Sequence, residues 1–342
     1  MAGCGSSPNN TKYEVGSGTT IQAYAGICGA QDIQPNSDPH FHAISFDEIS
    51  DFLSTGAGGT CGVGTPTGNT LPVIDPLPNN NLSIPPGTPF TLTGSATDAN
   101  GDALTYNWEQ WDFSGTANWN AGATAPANNT VPLFKSRVPK TTGARTFPDV
   151  AVINANYPAN PAATMGGLKG ETLSPVARVM KFRLTVRDNR AGGGGVVSSG
   201  SGCQGTGVFQ VNVVGSTPFT VSVPNGGESY PGATSQTVTW NVAGTSGAPV
   251  SAANVKISLS TDGGLTYPTV LLASTPNDGS EPVTIPNSPT TIAKMKVEAV
   301  GNIFFDVSNA NFAITVPVTG FSFTAPPVTS VTCGGAAVAT SN

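Results

Sequence analysis

The chain has 342 residues, of which 42 are Gly and 29 are Pro, and only 10% are charged. Such interruption excludes a helical bundle, because helices need long runs free of Gly and Pro, and no Gly-X-Y period makes the chain a collagen. Net charge is −6 with a pI of about 4.8 and no Lys/Arg cluster, which argues against a nucleic-acid partner.

What remains is rich in Thr, Val, Ser, Ala and Asn, which suits short strands joined by tight turns. The length allows two or three domains, each with its own core. No apolar run approaches the roughly 18–20 residues of a membrane-spanning helix, and no signal peptide is visible. Met1-Ala2-Gly3-Cys4 lacks the preceding apolar helix that a lipoprotein box requires. The five cysteines, Cys4, Cys28, Cys61, Cys203 and Cys333, form no CxxC pair. They fit one or two disulfides in an oxidising compartment, hence a secreted or cell-surface location.

In chain order, residues 1–62 mix Gly turns with one helix near Ser45–Ser54. Ser45 is its expected cap, with Asp47 and Glu48 in the first turn and Ile44, Ile49, Phe52 and Leu53 as an apolar face. Residues 63–73 read as a Gly/Thr/Pro linker. Residues 74–215 read as a first β domain. Its strands are Phe90–Thr93, Leu104–Trp111, Val179–Val186 and Val208–Val214, with Leu104, Tyr106, Trp108 and Gln110 on one face. A long Asn/Ala/Pro-rich excursion between about 114 and 175 interrupts it.

Residues 216–316 read as a second β domain. Its strands are Phe219–Val223, Gln236–Val242, Val255–Ser260, Val283–Ile285, Lys294–Val300 and Asn311–Val316, at the spacing of an immunoglobulin or fibronectin type III sandwich. The join at Gly215-Ser216-Thr217-Pro218 is short and polar, so few contacts should cross it. Residues 317–342 open with Phe321-Ser322-Phe323-Thr324 as the start of an incomplete further β module.

One segment carries a specific resemblance. Residues 13–49, YEVGSGTTIQAYAGICGAQDIQPNSDPHFHAISFDEI, resemble the end of the catalytic domain of bacterial reprolysin-like zinc metalloproteases of the metzincin group. The β domains look like the Ig/PKD-like modules that follow that domain. The resemblance implies a small mixed α/β remnant of a metzincin domain preceding tandem Ig/fibronectin/cadherin-like β-sandwiches, in a mainly β chain. Gly16–Cys28 would match the Met-turn beneath the zinc, with Gln22 at the methionine position.

The family's zinc site needs HExxHxxGxxH, two His and a Glu base on one helix plus a third His. Here the only histidines are His40 and His42, at i, i+2 with no Glu between them. The parent family's zinc ligands are therefore absent from this sequence. On a strand the two imidazoles would share a face, which can bind a metal in principle. Cys4 and Cys28 flank the segment and are expected to pair, a loop closure worth roughly 3 kcal/mol in the chain-entropy model.

Asp98-Ala99-Asn100-Gly101-Asp102, with Asp188 at the end of a later strand, resembles turns of cadherin- and PKD-like modules. Asp98, Asn100, Asp102 and Asp188 are candidate calcium ligands, or alternatively ordinary turn residues. Ser260–Tyr267 matches the Asp-box SxDxGxT(W/Y), a structural hairpin turn. Trp108, Trp111, Phe113 and Trp119 could form a sugar-stacking platform or simply pack. The sequons at Asn9, Asn81 and Asn128 carry no weight.

Two functions stay open. One is the C-terminal part of a secreted zinc metalloendopeptidase, acting on protein and inactive as given. The other is a non-enzymatic structural or adhesive protein that meets cell-surface or matrix components or itself.

Overall fold

The computed structural model describes residues 11–77, 81–113, 131–155, 169–200 and 208–317, with two short strands beyond them. It is mainly β. The segment 11–62 contains α1 (Ala43–Ser54) between two single 3-10 turns. Helix α1 is not capped by Ser45, which is buried inside it. His42 is the cap, its Nδ1 accepting from the Ile44 N–H at 3.2 Å. The expected apolar face is also not buried: Phe52 and Leu53 are 57% and 58% exposed. The helix instead lays its N-terminal end, Ala43 and Ser45, on the first module.

That first module comprises β1 (Val73–Ile74), β2 (Leu82–Ile84), β3 (Phe90–Thr93), β4 (Ala96–Thr97), β5 (Thr105–Gln110), β6 (Ala144–Phe147), α2 (Val150–Asn154), β7 (Arg178–Arg187), β8 (Val196–Ser198) and β9 (Phe209–Val213). One sheet runs β2-β9-β7-β5, with β8 beside β7. The opposing layer is the pairs β3-β6 and β1-β4. The layers meet through aromatic rings, with Phe90 stacked on Phe147 at 5.1 Å and Phe182 4.9 Å from Phe147. Part of the long excursion thus builds sheet and helix; residues 114–130 and 156–168, Trp119 among them, lie outside the described residues.

The second module comprises β10 (Thr220–Val223), β11 (Ser229–Pro231), β12 (Ser235–Asn241), β13 (Asn254–Ser260), β14 (Thr269–Pro276), β15 (Ser280–Thr284), β16 (Thr290–Ala299), β17 (Phe305–Val307) and β18 (Phe312–Thr315). Sheet β10-β12-β15 faces sheet β11-β18-β16-β13-β14, with β17 beside β16. Trp240 is buried in this core, its Nε1 donating to Asn277 Oδ1 at 2.8 Å. Alternation identified the strands of this module except β11, β14 and β17. β19 (Val331–Cys333) and β20 (Ala336–Val338) pair antiparallel; Phe321–Thr324 falls outside the described residues.

Both modules open the same way. The entering chain pairs antiparallel in one layer (β1 with β4, β10 with β12) and then crosses to the other. There it runs parallel to the module's last strand (β2 with β9, β11 with β18).

The expectation that few contacts cross the module join fails. One hydrophobic cluster runs from Ile74 to Ile314 through both modules. Phe90 of β3 bridges to Phe304, Thr91 N–H donates to Ile303 O at 2.9 Å and Phe305 N–H to Pro89 O at 2.9 Å. Phe219 packs edge-on against Phe304 at 5.2 Å. Gly215–Pro218 is short, but it holds Phe219 beside β3, and apolar burial does the rest.

Candidate functional site

Strand β5 and the centre of β7 bury both of their faces. Trp108 and Phe182 face the sandwich core, while Asn107, Glu109, Arg183 and Thr185 face segment 11–62 and are no more than 4% exposed. Glu109 is the hub of that second face. Its carboxylate accepts from Ser136 Oγ at 2.6 Å, the Ala43 N–H at 2.9 Å and Thr185 Oγ1 at 3.3 Å, and His42 Nε2 lies 3.8 Å away. Burial pushes this acid up, yet His42, Arg187, the Ser136 hydroxyl and His40 together hold it below the usual glutamate range.

Ser136 gives its proton to Glu109, so its oxygen accepts from Asn107 Nδ2 at 3.1 Å and from His40 Nε2 at 2.9 Å. Burial, ahead of the charges around it, lowers the His40 pKa, so the ring is neutral with the proton on Nε2. Serine therefore stands between acid and imidazole. A catalytic triad needs the imidazole in the middle to take the serine proton. Ser136 is 3% exposed, and its hydroxyl is already spent on Glu109. This is a seam.

Around it, Arg183 pairs with Asp47 at 2.6 Å, donates to Ser199 O at 2.7 Å, and lies 4.0 Å over Trp111. Tyr13 stacks on that same indole at 4.2 Å. Arg187 donates to Phe41 O at 2.9 Å. Trp111 is thus enclosed between a phenol and a guanidinium, and Trp108 is in the core, so neither offers an open face to a sugar.

The Met-turn-like stretch folds around a different group. Glu14 accepts from Thr19 N at 2.8 Å, Thr20 N at 3.2 Å and Thr20 Oγ1 at 2.8 Å, and Thr19 Oγ1 reaches Ser136 O at 2.8 Å. Gln22 is exposed at the tip. His40 turns Nε2 to Ser136 while its Nδ1 is buried without a hydrogen-bond partner, and His42 turns Nδ1 to Ile44 and Nε2 toward Glu109. The expected pairing of Cys28 depends on Cys4, which lies outside the described residues, as do Cys203, Asn9 and Asn128.

The acidic turns do converge. Ligand oxygens of Asp98, Asp102 and Asp188 all lie within 4.8 Å of one another. Asp98 Oδ1 accepts from Asn100 N at 2.9 Å and Asp102 N at 3.0 Å, which folds the turn. Asp98 Oδ2 and Asp102 Oδ2 are buried with no hydrogen-bond donor. Arg190 Nη1 approaches Asp102 only to 3.7 Å. Asp188 accepts from Asn69 Nδ2 at 2.6 Å and from the Gly195 and Arg190 N–H groups. Burial opposes its charge, but those donors hold its pKa below the usual range. Asn100 turns its oxygen to Thr70 N at 2.7 Å instead. Two donor-free carboxylate oxygens beside a third carboxylate suit a hard cation.

The Asp-box is a closed turn. Asp262 accepts from Ser260 Oγ, Thr266 Oγ1 and the Leu265 and Thr266 N–H groups, which bring its carboxyl down to about 2. Sequence reasoning missed the Glu109 seam. Its signal was Asn107, Glu109, Arg183 and Thr185 alternating outward on strands of a chain that is only 10% charged.

No family profile and no curated protein matches the chain. Among solved structures it is similar to the FN1–FN3 domains of chicken CNTN1, at 11% identity and a TM-score of 0.25 over 73% of this chain and 69% of that one. It is similar to the two tandem V-type regions of VCBP3, a v-region-containing chitin binding protein, at 13% identity and a TM-score of 0.20 over 72% and 100%. It is similar to the N-terminal four Ig domains of Dscam1 isoform 1.9, at 12% identity and a TM-score of 0.19 over 74% and 48%, so it spans about half of that chain. Likeness at these scores carries no argument about function; the tandem sandwich architecture rests on the sheets themselves.

Proposed function

We propose that residues 11–317 serve as a non-enzymatic extracellular structural or adhesive unit of two joined β-sandwiches, whose partner is a cell-surface or matrix component or a second copy. One observation carries this. The only two histidines in the chain are buried in the seam that binds segment 11–62 to the first module, His40 on Ser136 and His42 on Ile44 and beside Glu109. With both imidazoles buried and no HExxH helix in the sequence, this stretch supplies no zinc site, whatever its resemblance to the end of a metzincin domain. Among the described residues no helix is long and apolar enough to cross a membrane.

A calcium ion held by Asp98, Asp102 and Asp188 belongs to the same reading. It would satisfy the two donor-free oxygens and pin the 63–73 linker, which already reaches the cluster through Asn69 and Thr70. Two measurements test the proposal. The purified chain should show no chelator-sensitive cleavage of casein; such cleavage would end the non-enzymatic reading. Calcium at about a hundred times Kd should stabilise it by about 2.7 kcal/mol, and Asp102→Asn should remove that gain. Equal melting with calcium and with chelator would return the three aspartates to turn residues.

A further inference from the structure

Beside the Glu109 seam, where segment 11–62 meets the start of β5 and the end of β7, lies a cavity of about 470 Å³. Ile21, Phe41 and Phe46 wall it from the segment, and Val138 and Val196 from the first module. Ile21 and Val138 are 47% and 48% exposed, so part of this apolar wall faces solvent.

Two residues of the wall carry buried polar atoms with no hydrogen-bond partner among the described residues: His40 Nδ1 and Arg187 Nη1. His40 is 5% exposed. Both side chains are held in place by their other atoms. His40 Nε2 donates to Ser136 and Arg187 Nη2 to Phe41 O, each at 2.9 Å, and the guanidinium lies 5.1 Å over the Phe46 ring. A buried polar atom without a partner is costly, so each of the two calls for one.

The partner each needs is fixed. Ser136 gives its proton to Glu109 and accepts from His40 Nε2, which leaves Nδ1 as a lone pair in need of a donor. Arg187 Nη1 can only donate and needs an acceptor. Charge narrows the choice. Glu109 already balances Arg187 electrostatically, and a carboxylate would set its own lone pairs against Nδ1. An ammonium or a metal ion would meet the guanidinium. A neutral group that both accepts and donates is left. One water could do this, but it would leave Phe41 and Phe46 without contacts across the cavity. A carboxamide carries its acceptor and its donor on separate atoms, one for each side chain, and can bring an apolar body with it.

We propose that this cavity binds a neutral carboxamide on an apolar body. The carbonyl accepts from Arg187 Nη1, the N–H donates to His40 Nδ1, and the apolar part packs on Phe41 and Phe46. Asp188 lies in the same wall, but its carboxylate is turned to Asn69, Arg190 and Gly195. The inference therefore stands apart from the proposed calcium, and it goes beyond the non-enzymatic reading without resting on it.

Calorimetry on the whole chain in chelator tests it, with phenylacetamide, phenylacetate, methyl phenylacetate and phenethyl alcohol as probes. Phenylacetamide should bind at least about tenfold tighter than phenylacetate, which brings a charge and no donor, and than the ester, which has no donor. The alcohol should also be weaker, having one oxygen for both partners. Any of the three binding as tightly as the amide would overturn the proposal, as would no binding of the amide. Location is read by nitrogen NMR with the histidine rings isotope-labelled. Phenylacetamide should shift the His40 Nδ1 resonance and leave that of His42, held by the Ile44 N–H, in place. Binding that leaves the His40 ring unmoved would overturn the site. His40→Phe should weaken the amide about tenfold and bring it level with the ester; an unchanged preference would count against the proposal. Should that variant fail to fold by circular dichroism, the nitrogen resonances of the unaltered chain decide it.

Discussion

Two seams hold this molecule together, and they are built from opposite materials. Segment 11–62 is bound to the first module by a buried polar network around Glu109. The two modules are bound to each other by apolar rings and backbone hydrogen bonds around Phe90 and Phe304. Polar seams are specific and fragile, because removing one member strands the others. Apolar seams give way in proportion to the area removed.

The largest effect should come from breaking the hub. Glu109→Ala leaves Ser136, the Ala43 N–H, Arg187 and His42 without their acceptor or counter-charge, and should cost about 3–5 kcal/mol in denaturant unfolding. A loss below about 1 kcal/mol would mean that segment 11–62 adds little to the fold.

Phe90→Ala attacks the other seam and should cost a similar or slightly smaller amount, about 3–5 kcal/mol. Because Phe90 belongs to a core shared by both modules, the melt should remain one transition, displaced as a whole. Two resolved transitions in the unaltered chain would restore the picture of independent domains.

Titration separates the seams by sign. His40 is held neutral below the usual histidine value, and Glu109 is held ionised below the usual glutamate value. In each case the unfolded chain binds more protons, so this seam weakens as pH falls below about 6.5 and on toward acid. Asp306, next to Phe305 at the inter-module seam, is pushed up to about 7 by burial, ahead of the backbone N–H donors that oppose it. Its folded form binds more protons, so its contribution is complete below about pH 4 and is lost as pH rises to 7. Hydrogen-exchange protection factors in 13–49, corrected for the intrinsic rate at each pH, should therefore fall on acidification. In Asp306→Asn the global stability should lose the part that declines from pH 4 to 7. Protection of 13–49 that does not change with pH would remove His40 from the seam's energetics.

The smallest effect is on the face of α1 that the sequence marks as apolar. Phe52 is 57% exposed, so Phe52→Ser should shift stability by no more than about 0.5 kcal/mol. A larger loss would show that Phe52 has a packing partner.

The strands of the second module were legible because apolar residues such as Val255, Ile257 and Leu259 alternate with small or polar ones, a pattern that holds even where the second face is covered, as at Ser258 and Ser260. In β5 and β7 alternation fails as a guide, since a second layer of chain covers what would be their solvent face. A charged residue buried by a distant segment looks, in sequence, like a charged residue in water; Arg183 at 0% exposure is the case in point. The three aspartates were legible because turn chemistry is local, although Asn100 was drawn aside by a linker 30 residues away. The resemblance of 13–49 marked a compact segment, but its histidines meet partners far along the chain, Ser136 for His40 and Glu109 for His42, which spacing alone does not reveal.

The parallel pairing of the opening and closing strands in each module has a mechanical consequence. When β2 and β9, or β11 and β18, run side by side in the same direction, the chain enters a module at one end and leaves at the other. A pull on the two ends then drags these neighbours past each other along their length. The backbone hydrogen bonds along the register that sets Leu82 opposite Val211, Ser83 opposite Asn212 and Ile84 opposite Val213 share such a load at once, where a hairpin pulled apart from its open end would yield its bonds one by one. A tandem of such modules behaves as a tether that resists tension.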